Sequence, residues 1–237
     1  MVMRSNEETV LRRGAAPNGD RFLSYYMQKI YGIMTIGLGI SAFIAYVVSS
    51  SPAFMQYLFG TKMVWLVALM PLFLVIALSA SLNKVSSTAA VALFVAFSAC
   101  MGVSLSSVFC IYTAQSITST FLVVMALFGG MCLYGYTTKK DLTSMGSFLV
   151  MGLWGLIIAM FINMFMKNSM LEYALSAIAV VIFTGLTAYD VQVARLSCVA
   201  SDDNQTVTKK AVVGALRLYL DFINLFLHLL RFMGNRK

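Results

Sequence analysis

Long apolar segments recur along almost the whole chain, and they restrict its fold more than any other feature of the sequence. A helix needs about 20 mostly apolar residues to cross a bilayer. Seven segments meet that length, near residues 31–50, 63–82, 88–112, 118–137, 145–166, 171–194 and 210–233. Spans must satisfy their own backbone hydrogen bonds in lipid. The sequence therefore predicts an all-α integral membrane protein, with seven transmembrane helices in one bundle.

The composition agrees with a membrane protein and leaves little room for anything else. Hydrophobic residues make up 60% of the 237 residues and charged residues only 11%, which excludes a soluble domain of ordinary composition. Residues 1–21 are polar and are predicted to form a disordered cytoplasmic tail, and residues 22–237 a single membrane domain. The net charge of +8 indicates contact with the lipid bilayer, and no basic motif predicts a nucleic-acid partner.

Lysine and arginine side chains are unevenly distributed between the two sides of the predicted bundle. Most fall in the N-terminal tail and in alternate loops, while the opposite loops between spans hold only Lys62 and Lys167. Cytoplasmic loops carry the excess of basic residues, so we expect a cell inner (plasma) membrane protein with a cytoplasmic N-terminus. Arg231, Arg236 and Lys237 disagree, because an odd number of spans would place them outside.

Two aspartates stand inside the last two apolar segments. Asp190 lies in residues 171–195 and Asp221 in residues 211–234. A charged side chain at the centre of a bilayer costs about 2.5–3.5 kcal/mol on insertion scales, and such a residue by default marks a functional site. We therefore predict that the last two helices lie near the centre of the bundle and that these two aspartates belong to its site.

Polar residues recur along the last segment at helical spacing. At about 100° per residue, five of them fall within a stripe about 80° wide, which we name the polar seam: Arg217, Asp221, Asn224, His228 and Arg231. Lipid cannot satisfy such a stripe, so it must face protein or water. It is either a structural seam that orients the helix or the wall of a pathway. His228 is expected to be a neutral, hydrogen-bonded member of the seam, and its alternative role is a second pH sensor.

Glu172 extends the possible pathway toward the other face of the membrane. It precedes Asp190 by 18 residues, which is five full helical turns, so both lie on one face of the sixth predicted span. We predict that Glu172 lines the outer mouth of the pathway. The alternative is an interfacial glutamate in water.

Several segments have amino-acid sequences that are characteristic of one family. The last two spans contain TGLTAYDVQ and LRLYLDFINLFLHLLR, and earlier segments read YMQKIYGIM, GVSLSSVFCIYTAQSITSTF and YGYTTKKDLTSMGSFLVMGLWGLIIA. Together, over about residues 22–234, they resemble the Bax inhibitor-1 family (transmembrane Bax inhibitor motif proteins), in particular its bacterial branch. That resemblance implies seven spans and a calcium leak gated by protonation of an aspartate pair. By position, the pair would be Asp190 and Asp221.

The chemistry of two neighbouring carboxyl groups fits such a gate. In a medium of low dielectric constant they cannot both ionise cheaply, so the pair is expected to share a proton near physiological pH. Loss of that proton leaves two charges that repel each other and attract a cation. Calcium prefers six to eight oxygen ligands. Asp190, Asp221 and Asn224 supply fewer, so the sequence predicts only a weak calcium site, with calcium as the permeant ion and no cofactor.

Two other functions compete with the ion pathway. Intramembrane aspartyl proteases also carry aspartates on consecutive spans, and Tyr189–Asp190 matches their YD motif. However, Leu218–Asp221 replaces their GxGD motif and no PAL motif follows, so we predict that the chain is not an enzyme. The second competitor is a membrane-embedded regulator that binds and restrains a membrane-bound protease, a role credited to some bacterial members of the family.

One position departs from the family's pattern. In bacterial relatives an arginine near the cytoplasmic end of the second span is thought to latch the aspartate pair. Here Ser81 stands where that arginine is expected. We name Arg217, one turn from Asp221, and Lys84 as the residues that could replace it.

Overall fold

The computed structural model describes residues 17–61, 63–81, 85–199 and 201–237, and in these ranges the chain forms eight helices. They are α1 Pro17–Ser49, α2 Pro52–Gly60, α3 Met63–Ser81, α4 Ser87–Ile111, α5 Ala114–Thr137, α6 Thr143–Met166, α7 Ser169–Leu196 and α8 Asn204–Met233. The all-α prediction is confirmed. Residues 17–21 of the predicted tail are the first turn of α1, and residues 1–16 lie outside the described residues.

Six of these helices are long and apolar enough to cross a membrane, judged over the residues that the structure describes. They are α1 (from Asp20), α4, α5, α6, α7 and α8. The remaining predicted span, 63–82, corresponds to α3, a helix of 19 residues that is not one of the six. Helix α2 lies in a segment that we predict as a loop. Pro52 is at its start, where a missing N–H costs nothing and the fixed φ angle suits a helix.

Polar residues in the short connections cap the N-termini of four long helices. The residue before each of α4, α5, α7 and α8 accepts a hydrogen bond from a backbone N–H of the first turn, and these caps are Ser86, Thr113, Asn168 and Asp203. Such N-caps satisfy donors that have no partner within the helix. A hydrogen bond from Thr206 and others from backbone N–H groups hold the pKa of Asp203 below its ordinary value, so this cap stays charged at neutral pH.

Helix α8 is at the centre of the bundle. It packs against α7, α1, α5 and α4, and 67% of its most apolar stretch is buried, compared with 50% for α7 and 28% for α1, α4 and α5. The corresponding figure for α6 is 11%, so most of its surface is available to lipid. The last two helices are therefore the most buried of the six, as we predict from the two aspartates.

A buried hydrogen-bonded cluster ties α8 to two of its neighbours. The Tyr219 hydroxyl of α8 lies 2.6 Å from Ser41 Oγ of α1, which in turn donates to the Ser98 carbonyl of α4 at 2.6 Å. The Tyr219 ring packs edge-on against Phe94 and Phe97, with centroids 5.9 and 5.2 Å away. All five side chains are buried. One residue of α8 thus fixes the positions of α1 and α4.

The two ends of the bundle can be distinguished by their contacts. At the end that we call the N-terminal end, the start of α1 meets the α7–α8 connection, because the Tyr26 hydroxyl lies 3.1 Å from Ser197 Oγ. At the opposite, C-terminal end, Asn235 N donates to Ser116 Oγ at 2.9 Å. There the last carbonyl of α4 also accepts a hydrogen bond from Lys237 N at 2.9 Å. The chain therefore ends against the α4–α5 connection.

Replacing Tyr219 with Phe tests the buried cluster. The variant keeps the aromatic packing but loses the hydroxyl, so the free energy of unfolding should fall by about 1 kcal/mol, the net value of a typical hydrogen bond. Thermal unfolding in detergent measures the change. Tyr57→Phe is the matched control, because Tyr57 is 56% exposed. Equal midpoints for the two variants would contradict the role given to Tyr219.

Candidate functional site

Helices α7 and α8 run antiparallel and bring the two predicted aspartates together. Arg217 of α8 is level with Asp190 of α7, and their Nη1 and Oδ1 atoms are 3.4 Å apart. Asp221 follows Arg217 by one helical turn, so it lies one turn deeper in the bundle than Asp190. The side chains bridge that step, because the two carboxyl groups lie within hydrogen-bonding reach of each other.

The two carboxyl groups have different surroundings. The Asp190 side chain is 14% exposed, whereas Asp221 is 4% exposed. Asp221 Oδ2 is buried and accepts no hydrogen bond from an N–H or hydroxyl group of the described residues. A hydrogen bond between two carboxyl groups requires that one of them carries a proton. This geometry therefore suits a pair that holds a single shared proton.

A cleft of about 150 Å³ opens beside Asp190 between α7 and α8, at the N-terminal end of the bundle. Its polar lining includes Asp190, Arg217, Ser197 and Lys210. Lys210 is held by Asp202 at 2.5 Å and by the Ser197 carbonyl at 3.2 Å, whereas the Arg217 side chain is half exposed. Water can therefore reach Asp190 through this cleft, and two basic groups stand at the entrance.

The other members of the polar seam make their contacts either with α7 or within α8 itself. Asn224 Nδ2 donates to the Leu220 carbonyl of its own helix at 2.8 Å. The His228 ring stacks on Phe183 of α7, with centroids 6.2 Å apart and an angle of 16° between the planes. Its Nδ1 atom is buried without a hydrogen-bond partner among the described residues. The prediction that His228 is hydrogen bonded is therefore wrong for its Nδ1 atom.

Glu172 pairs with the last member of the seam. Its Oε1 atom is 3.2 Å from Nε of Arg231, and the side chains of Glu172 and Arg231 are 40% and 38% exposed. The pair lies toward the C-terminal end, far along α7 from Asp190. The sequence predicts the positions of these two residues, but not their pairing, because that depends on the register between α7 and α8.

The candidate calcium ligands are few. In the part of the chain that the structure describes, no group of three or more His, Cys, Asp or Glu side chains is arranged to hold a metal ion. A calcium ion beside Asp190 and Asp221 would find two carboxylates, and the rest of its six to eight ligands would have to come from water or other oxygens. The two carboxylates alone therefore cannot enclose a calcium ion.

Of the residues that could replace the missing arginine of the second span, Arg217 contacts the pair. The helix α3 ends at Ser81, whose side chain lies outside the described residues, as does the whole of Lys84. Arg217 belongs to α8, so it reaches Asp190 from that helix and not from α3. The basic side chain that contacts Asp190 therefore comes from within the α7–α8 pair.

Gln192 fixes α7 close to the site, and we did not predict it. Its Nε2 donates to the Lys140 carbonyl and its Oε1 accepts from Leu142 N, both at 2.8 Å. The α5–α6 connection is thereby attached to α7 two residues from Asp190. No sequence pattern could have indicated this, because the partners are about 50 residues away and are backbone groups.

The sequence is similar to known proteins along most of its length. Residues 23–237 match the sequence profile of the family described as inhibitor of apoptosis-promoting Bax1. The chain is 50% identical over 214 residues to an uncharacterized protein of Borreliella burgdorferi, a match that covers 90% of this chain and 92% of that protein. It is 47% identical over 219 residues to the inner membrane protein YbhL of Escherichia coli K12, covering 91% and 93% of the two chains. The chain belongs to the Bax inhibitor-1 family.

Proposed function

We propose that this chain is a pH-gated calcium-leak protein of the inner membrane, and that a proton shared by Asp190 and Asp221 keeps the pathway closed. The observation that carries the proposal is the geometry of the pair. Two carboxyl groups from successive membrane helices lie within hydrogen-bonding reach. One is buried, and the other borders a cleft that opens at one end of the bundle.

Protonation supplies the gate in this mechanism. With one proton bound, the pair forms a hydrogen bond between α7 and α8, and Arg217 offsets the remaining charge on Asp190. Loss of the proton leaves two negative charges side by side in a site from which most water is excluded, and these repel each other strongly. The repulsion favours separation of α7 from α8. It also creates the negative potential that draws a calcium ion into the cleft.

Arg217 is proposed to act as the latch on this pair. Its guanidinium contacts Asp190 Oδ1 at 3.4 Å, and both residues line the cleft. A calcium ion can approach Asp190 only after this contact is released. Because half of the Arg217 side chain is already exposed, it can move into water with little change in hydration.

The contacts at the two ends of the bundle support α3 as a seventh span. Helix α3 runs antiparallel to α4, because Ser104 contacts Val67 and Cys100 contacts Met70. Since α4 ends at the C-terminal end, α3 must return the chain to the N-terminal end. Its 19 residues extend about 28 Å at 1.5 Å per residue, close to the hydrocarbon thickness of about 30 Å.

The distribution of charge supports a cytoplasmic N-terminus. Basic residues are concentrated at the N-terminal end of the bundle, in the start of α1, the α5–α6 connection and the region around the start of α8, and these are Arg21, Lys139, Lys140, Lys209 and Lys210. An excess of basic residues is typical of the cytoplasmic side. The cleft beside Asp190 would then open to the cytoplasm.

Asp221→Asn tests the gate directly. For wild-type protein in liposomes, calcium flux should rise with pH by up to tenfold per unit below its midpoint, the most that loss of a single proton allows. Asn keeps the size of the side chain but cannot lose a proton to become charged. Flux through the variant should therefore lose most of its pH dependence, and the calcium affinity should fall.

The matched variants separate gating from structure. Asp190→Asn should resemble Asp221→Asn, and the double variant should add little, because the two groups act as one unit. A purely structural seam would instead lower the yield of folded protein and leave the pH midpoint unchanged. Absence of flux from wild-type liposomes would favour the alternative, a regulator that needs a protease partner.

Arg217→Gln tests the latch. Removal of the positive charge makes it easier for the pair to hold its proton, so the midpoint of flux should move to higher pH. Above that midpoint the maximal flux should exceed that of wild type, because no side chain competes with calcium for Asp190. Arg217→Lys keeps the charge and is the control for the midpoint. A midpoint and maximal flux both equal to wild type would exclude Arg217 as the latch.

Glu172→Gln tests the C-terminal end of the pathway. An exposed ion pair such as Glu172–Arg231 contributes roughly 0–1 kcal/mol to stability, so the variant should remain folded. If Glu172 attracts the ion, calcium flux at saturating pH should fall while the pH midpoint stays in place. Unchanged flux would leave Glu172 as an interfacial residue in water.

A further inference from the structure

A groove separates α1 from α5 on the surface of the bundle. Both helices pack on α8, and the space between them has a volume of about 360 Å³. The two helices are antiparallel, since α1 begins and α5 ends at the N-terminal end. Residues of one face of each helix line the groove over two turns, which corresponds to about 10 Å of helix.

The lining changes in polarity along the groove. Tyr31, Gly129, Cys132 and Leu133 line the part toward the middle of the bundle, and Met27 and Gln28 lie between this part and the N-terminal end. Ser24 and Tyr136 line the part nearest the N-terminal end. An apolar slot that becomes polar toward one membrane surface has the profile of an acyl chain joined to a headgroup. Within a bilayer, lipid is the molecule present at this surface.

Two lysines follow the α5 side of the groove in the sequence. Lys139 and Lys140 follow Tyr136 by three and four residues, just beyond the end of α5, and both are exposed. Asp20 and Arg21 precede Ser24 on α1 and offset each other, being exposed neighbours of opposite charge.

Asp141, next to Lys140, is already engaged. It accepts a hydrogen bond from Thr143 N at 2.8 Å, and the hydrogen bonds from Thr143 hold its pKa below the ordinary value. In the described part of the chain neither Lys139 nor Lys140 forms an ion pair. Two basic groups are therefore available to an anionic ligand at the polar end of the groove.

We propose that the α1–α5 groove is a phospholipid-binding site, in which one acyl chain lies between the two helices and Lys139 and Lys140 bind the phosphate group. The apolar part of the groove supplies the surface against which the acyl chain packs. The lysines distinguish a phospholipid from an uncharged lipid with the same chains.

Two adjacent glycines provide a matched test. A side chain added at Gly129 or at Gly130 would meet no atom within 4 Å, so both positions accept a larger residue. Gly129 lines the groove, whereas Gly130 is exposed and does not. Leu is a stronger helix former than Gly, so Gly129→Leu and Gly130→Leu should both fold, and only Gly129→Leu fills the groove.

Native mass spectrometry of the purified protein in detergent, with added phosphatidylglycerol, measures the binding. Wild type and Gly130→Leu should retain one phosphatidylglycerol molecule, and Gly129→Leu should retain at least tenfold less. The same lipid should raise the thermal midpoint of the first two proteins but not that of Gly129→Leu, because a ligand stabilises only the state that binds it.

A second comparison tests the phosphate contact. Dioleoylglycerol has the acyl chains without the phosphate, so wild type should retain it much less than phosphatidylglycerol. The double variant Lys139→Gln/Lys140→Gln should lose that preference, while Lys167→Gln, at the C-terminal end, should keep it. Equal retention by Gly129→Leu and Gly130→Leu, no retention by wild type, or equal retention of the two lipids by wild type would overturn the proposal.

Discussion

The burial of the Asp221 carboxyl group is the constraint on which the rest of this bundle depends. A side chain of this kind at 4% exposure cannot face lipid without a cost of several kcal/mol, so α8 must be enclosed by other helices. A second carboxyl group, that of Asp190, is one of its neighbours. In the proposed gate, loss of a proton from this pair would act on the contact between α7 and α8.

The same helix organises the structure on its other faces. Tyr219 reaches α1 and α4 through Ser41 and Ser98, while Phe222 packs edge-on against Phe128 of α5 at 5.4 Å. Four helices thus share α8 as a neighbour, and they are held by a combination of hydrogen bonds and aromatic contacts.

Periodicity and composition were sufficient to predict much of this structure. The spacing of Asp221 and His228 placed them on one stripe of a buried helix, and that stripe does contact α7. The pairing of Asp190 with Asp221 came from the family resemblance, and the structure brings the two carboxyl groups together. The sequence also identified Arg217 as a neighbour of the pair, since it lies one turn away on the same face.

What could not be predicted depends on the register between helices distant in sequence. The Glu172–Arg231 pair and the hydrogen bonds of Gln192 require the relative height of two helices, which no single-helix pattern contains. The short helix α2 was missed because its apolar residues are too few for a span and stand between turn-forming residues. The predicted span at 63–82 is a helix, Met63–Ser81, and the proposal that it crosses the membrane comes from the connectivity of its neighbours.

The contacts of the last four residues have a consequence for biosynthesis. Asn235 and Lys237 attach the end of α8 to the α4–α5 connection, and α8 is synthesised after the helices that it contacts. Those helices, α1, α4, α5 and α7, are therefore in the membrane before α8 arrives, with the faces that α8 will cover still open to lipid or to insertion factors. Chains emerge from N-terminus to C-terminus at about 5–20 residues per second, so that incomplete stage lasts for seconds. A truncation that removes α8 leaves those faces uncovered permanently.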